Sequence, residues 1–113
     1  MDGRSYDGGM APAPSATEST RGWTFLTNHG HVLLTIARDP TTRLRDVAEQ
    51  VGVTERAAQA IVADLEAAGY LRRTRVGRRN RYTLNPAGSF RHRVEADRRI
   101  GDLLALFADD ITP

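Results

Sequence analysis

The sequence predicts a mainly α-helical domain that carries one small β-wing, an α+β fold, and three observations support this. Apolar residues recur at helical spacing in three successive segments between Val32 and Leu65. The second and third of these segments are joined by Gly-Val-Thr at 52–54, a short glycine-containing turn of the kind that links two crossing helices. Residues 71–84, LRRTRVGRRNRYTL, then change to strand-like composition around a central glycine.

Each element follows from its residues. Trp23 to Leu26 form a small apolar cluster ahead of the first helix, where core anchoring is the expected role of Trp23 and Phe25. Thr27 or Asn28 can accept from the open amides of its first turn. Val32, Leu33, Ile36 and Ala37 share one face, and Pro40 ends the element. Thr41 to Leu44 is short and β-tolerant, and a stub strand is expected there. A two-turn helix follows with Val47, Ala48 and Val51 inward, closed by Gly52, whose lack of a Cβ permits the left-handed backbone of a helix terminus. Thr54 caps the next helix, which is expected to run to about Ala68 with Ala58, Ile61, Val62 and Leu65 buried. Small inner residues let the two helices cross closely.

Leu71–Val76 and Arg81–Leu84 are expected to pair as strands through a Gly77–Asn80 loop, with Gly77 and Asn80 tolerant of positive φ. Val76, Tyr82 and Leu84 are the expected inward anchors, and Arg75, Arg79 and Arg81 the outward charges. Asn85 to Gly88 breaks the chain. A last helix from about Phe90 or Arg93 to Ala108 is expected, with Ile100, Leu103, Leu104 and Phe107 on one face. The expected organisation is therefore a disordered tail over 1–21, a domain over 22–88, a C-terminal helix over 89–108 and a short tail over 109–113.

Charge sharpens this outline. The chain has 113 residues and a formal net charge of only +2, but residues 72–93 hold eight arginines and no acid, while 94–113 hold five acids against two arginines. An approaching anion therefore meets a stronger field than the sum suggests. Six of those arginines lie between Arg72 and Arg81. The Gly/Pro/Ser/Thr-rich first twenty residues hold no apolar signal core, and no run approaches the roughly twenty apolar residues of a membrane span. Cysteine is absent, which excludes disulfides and thiolate metal sites and leads to a cytoplasmic expectation.

The stretch VAEQVGVTERAAQAIVADLEAAGYLRRTRVGRRNRYTL, with its Leu-x-x-x-Gly-Tyr-Leu junction at 65–71, resembles the winged helix-turn-helix of bacterial transcriptional regulators, particularly the MarR-like and ArsR-like groups. It looks most like the small single-domain regulators of high-GC Gram-positive bacteria. The resemblance spans about residues 23–84. It implies a sequence-specific double-stranded DNA-binding regulator, not an enzyme, acting in the cytoplasm on the nucleoid.

The resemblance implies that the helix after the turn enters the major groove with its N-terminal residues at base edges. By position these are Thr54, Glu55, Arg56, Ala57, Gln59 and Ala60. Arg56 can donate twice to guanine, Gln59 can pair with adenine, Glu55 can accept from cytosine, and the alanines can meet a thymine methyl. The alternative for Glu55 and Arg56 is the solvated first turn of an amphipathic helix. Arg72, Arg73, Arg75, Arg78, Arg79 and Arg81 are the expected phosphate contacts, with Arg78 and Arg79 able to enter the minor groove. Solubilising an exposed strand edge is the competing role, although six arginines exceed what that requires. Neutralising about six phosphates would give a slope of log K against log salt near −5.

His29 and His31 are spaced to point apart on a helix, and no acidic cluster completes a metal set, so no metal or cofactor is expected. Trp23 and Phe25 could alternatively touch a small ligand. The face of Ile100, Leu103, Leu104 and Phe107 serves either homodimerisation or packing on its own domain. The alternatives for function are a low-specificity nucleoid-associated protein and a protein- or RNA-interaction winged helix. Any small-molecule effector is left open by these residues.

Overall fold

The structure, a computed structural model, describes residues 22–107. The expected tails over 1–21 and 109–113, and Ala108 at the expected end of the last helix, lie outside the described residues. Four helices and one hairpin follow in the order α1 (Asn28–Arg38), α2 (Leu44–Val51), α3 (Glu55–Ala67), β1 (Leu71–Val76), β2 (Arg79–Leu84) and α4 (Ile100–Leu106).

The Thr27 hydroxyl accepts from the Gly30 N–H at 3.2 Å and starts α1. Val32, Leu33 and Ile36 bury its inner stripe. Asp39 leaves the helix in extended backbone, as the residue before a proline prefers. Gly52 closes α2 with φ 88°, and its N–H donates to the Ala48 carbonyl at 2.8 Å. The Thr54 hydroxyl then accepts from the Ala57 N–H at 3.0 Å and starts α3. Ala58, fully buried, allows the close crossing of α2 and α3. At the far end of α3, Gly69 at φ 85° reverses the chain, and the Tyr70 N–H donates to the Leu65 carbonyl at 2.9 Å. One core joins α1, α2 and α3 to Tyr70, Leu71, Tyr82 and Ile100.

The hairpin register pairs Leu71 with Leu84, Arg73 with Tyr82 and Val76 with Arg79. Its loop is only Gly77–Arg78, and the second strand begins at Arg79, two residues earlier than expected. Gly77 at φ 63° followed by a negative φ has the sign pattern of a type II′ turn, whose twist matches that of paired strands. Asn80 therefore sits inside a strand without positive φ.

Several expectations need correction. The parity set by buried Leu71 and Tyr82, with half-buried Leu84, puts Arg73 and Arg75 on the inner face and Val76 on the outer face with Arg79 and Arg81. Val76 is accordingly 57% exposed and is no anchor, and Arg75 does not share a face with Arg79 and Arg81. No stub strand forms at Thr41–Leu44. The Thr41 N–H and hydroxyl both donate to the Asp39 carboxylate, and the Thr42 N–H donates to the Asp39 carbonyl, so this segment is a turn. The Tyr82 N–H donates to the Pro40 carbonyl at 2.9 Å, one backbone bond rather than a ladder, and ties this turn to the hairpin. Trp23 and Phe25 are not core anchors: they are 72% and 93% exposed and pack edge to face at 5.0 Å between ring centroids.

The last helix is shorter than expected. Residues 89–99 form a closed loop, in which Ser89 bridges Arg99 and the Phe90 N–H donates to the Arg98 carbonyl. The run RHRVEADRR offers this segment no apolar stripe, so turns replace a helix. α4 then begins at Ile100, whose N–H donates to the Gly88 carbonyl at 2.7 Å. Ile100 is 7% exposed within the domain's own core, and Leu104 packs against that core.

Candidate nucleic-acid interface

The N-terminal half of α3 leaves an open face. Thr54, Glu55, Arg56, Gln59 and Ala60 are exposed and Ala57 is half-buried, because the helix turns Ala58, Ile61 and Val62 inward. Arg56 makes no hydrogen bond or ion pair among the described residues. Further along, the outward face is short-chained, with Ala63 and Ala67 exposed. Glu55, Arg56 and Gln59 are the long polar side chains that the first turns leave exposed.

All six hairpin arginines are exposed, but their engagement differs. Arg73 donates to the Glu66 carboxylate at 2.9 Å, bracing β1 against α3. The Arg75 Nε donates to the Gly77 carbonyl at 3.2 Å and stiffens the tip. The Arg79 Nη2 donates to the Thr41 carbonyl at 2.9 Å, holding β2 to the loop before α2. Arg72, Arg78 and Arg81 have no protein partner among the described residues. Three of the six are thus structural ties as well as charges, and three are free to meet an outside anion.

Sequence reasoning missed three links here. The Arg73–Glu66 and Arg79–Thr41 contacts depend on how the hairpin docks, and no sequence spacing encodes that. The third is His29, which bonds Asp64 between Nε2 and Oδ2 at 2.9 Å and joins α1 to α3. Among the described residues no group of three or more His, Asp or Glu side chains is placed to hold a metal ion.

The expected pairing face is divided. Ile100 belongs to the core, Leu103, Leu104 and Phe107 are half-buried, and Leu106 is open to solvent. Among the described residues no helix is long and apolar enough to cross a membrane.

A helix-turn-helix followed by an arginine-lined two-stranded wing defines the winged-helix class. The sequence model described as the MarR family matches residues 24–81, and the chain belongs to that family. Among solved structures it is similar to the PcaV transcriptional regulator from Streptomyces coelicolor, crystallised in complex with its natural ligand, at 24% identity and a TM-score of 0.50. That match covers 77% of this chain and 63% of PcaV, so the chain spans less than two thirds of the PcaV chain. At this identity the likeness establishes the fold. No curated protein matches the sequence.

Proposed function

We propose that this protein is a double-stranded DNA-binding transcriptional regulator that works from the nucleoid of the cytoplasm. The first turns of α3 enter the major groove, and the wing lies on the flanking backbone. The observation that carries this reading is the pairing of an open, threonine-capped helix start with a hairpin whose Arg72, Arg78 and Arg81 have no partner among the described residues. Residues 22–88 form the DNA-binding unit. Arg56 and Gln59 read base edges, with Glu55 beside them, and the free arginines neutralise phosphates.

Pairing of two copies sets two α3 helices on successive major-groove faces, the symmetry that palindromic operators require. With Ile100 committed to the core, the surface available for pairing comprises Leu103, Leu106 and Phe107, with Trp23 and Phe25 as further apolar area.

Selection of bound sequences from a random duplex pool at fixed salt tests the proposal. A regulator prefers its selected site over random duplex by about 10³ or more. A ratio near one would favour the second reading, a low-specificity nucleoid-associated protein. The alanines along the outward face of α3 support that alternative.

A further inference from the structure

We infer that the cleft between the start of α2 and the wing tip is a seat for one phosphate of the duplex backbone, an inference that rests on the DNA-binding reading above. The cleft encloses about 320 Å³, with Thr42, Arg43 and Leu44 on one wall and Arg78, Arg79 and Asn80 on the other. Three guanidinium groups border it, and no carboxylate lines it. Like charges gathered around one hollow repel each other unless an anion joins them.

Thr42 supplies the independent observation. It is 7% exposed, it lines the cleft, and its hydroxyl has no hydrogen-bond partner among the described residues. Buried hydroxyls are ordinarily satisfied, so an unpartnered one at a cationic cleft points to a ligand acceptor. Next to it, Arg43 gives α2 no side-chain cap, which leaves the N–H groups of Leu44 and Arg45 open at the positive end of the helix. A tetrahedral oxyanion can accept from guanidinium, hydroxyl and backbone N–H donors together.

The arginines have separate roles. Arg79, bonded to the Thr41 carbonyl, is a positioning residue that fixes the two walls at one spacing. Arg43 and Arg78 have no partner among the described residues and are free to meet the phosphate. Edge protection of the hairpin explains neither Arg43, which lies on a helix start, nor the buried hydroxyl of Thr42. Arg78 and Arg79 also belong to the wing, so the duplex backbone, rather than a free phosphate ion, is the source.

The test uses the full chain with Thr42→Val and Arg43→Gln, a selected duplex, and inorganic phosphate as a separate probe. Arg43→Gln is expected to make the salt slope shallower by about one unit. Thr42→Val is expected to weaken duplex binding about tenfold, the loss of one hydrogen bond to a charged group. Its thermal midpoint should be unchanged or raised, because the hydroxyl has no protein partner to lose. In wild-type spectra the Leu44 and Arg45 amides should shift on adding duplex, and at far higher concentration with inorganic phosphate. Duplex binding unaltered by both variants overturns the seat while leaving the DNA reading intact. Amide shifts with inorganic phosphate but none with bound duplex overturn the backbone as source. A wild-type chain that binds no duplex overturns the DNA reading, and the backbone seat with it.

Discussion

At the scale of single residues, the capping threonines and the positive-φ glycines do most to define the chain path. Thr27 and Thr54 were readable because each precedes an apolar repeat, and both hydroxyls accept from a first-turn N–H. Thr54→Ala removes the acceptor of the Ala57 N–H and should cost about 1 kcal/mol of stability, measured by denaturant unfolding. Gly88 has a different constraint. A Cβ built there would lie 2.9 Å from the Tyr70 ring, so Gly88→Ala should destabilise the fold by about 1–3 kcal/mol. An unchanged unfolding midpoint would show that Tyr70 can move aside. On the face proposed to read bases, Gln59→Ala should cost about 1–3 kcal/mol of discrimination at one base pair, read as altered preference in a selected-site competition. Equal losses on every sequence would instead give Gln59 a non-specific role.

The elements were legible in proportion to how local their causes are. α1, α2 and α3 carry caps and apolar stripes within their own sequences, and all three form where that pattern indicates. The wing was recognisable from its glycine and its arginines. Its face assignment at Val76 and Arg75 was not, because parity depends on Leu71 entering a core built by distant helices. The stub strand failed because Asp39 captures the donors of Thr41 and Thr42, a local turn competing with a ladder. The last helix starts late because residues 89–99 close a loop on Gly88 and Ser89 instead.

For the candidate site, the arginine count did not reveal that Arg73 pairs with the Glu66 carboxylate or that Arg75 and Arg79 bond backbone carbonyls. If only the three wing arginines without a protein partner lie on phosphates, the wing's share of the salt slope should be about −3 per protomer, against −5 for six contacts. Arg81→Ala should make that slope shallower by about one unit with little change in unfolding, as measured by duplex titration across salt concentrations. Arg73→Ala should behave differently. It breaks the half-exposed pair with Glu66, costing up to about 1 kcal/mol of stability. A slope change at Arg73 matching that at Arg81 would argue against this division of roles.

For the whole molecule, the last helix closes the core as well as presenting a surface. Gly101 sits within α4 because Pro86 lies against it: a Cβ there would meet the Pro86 Cβ and carbonyl at 3.0 Å. The Gly101 N–H donates to that same carbonyl at 2.9 Å. Sedimentation at micromolar concentration should detect a dimer, and Leu106→Glu should shift it towards monomer without unfolding the core. A clean monomer of the wild-type chain would remove the pairing proposal.

Tyr70 brings the three scales together. Its N–H bonds Leu65 on α3, its carbonyl accepts from the Asn85 N–H beyond β2, its hydroxyl donates to the Ser89 carbonyl, and its ring packs in the core. It is the keystone at which helix, wing and returning chain meet. A fragment cut after Leu84 would keep the cationic face intact while losing half the masonry at that joint, leaving the wing on an unbuttressed hinge.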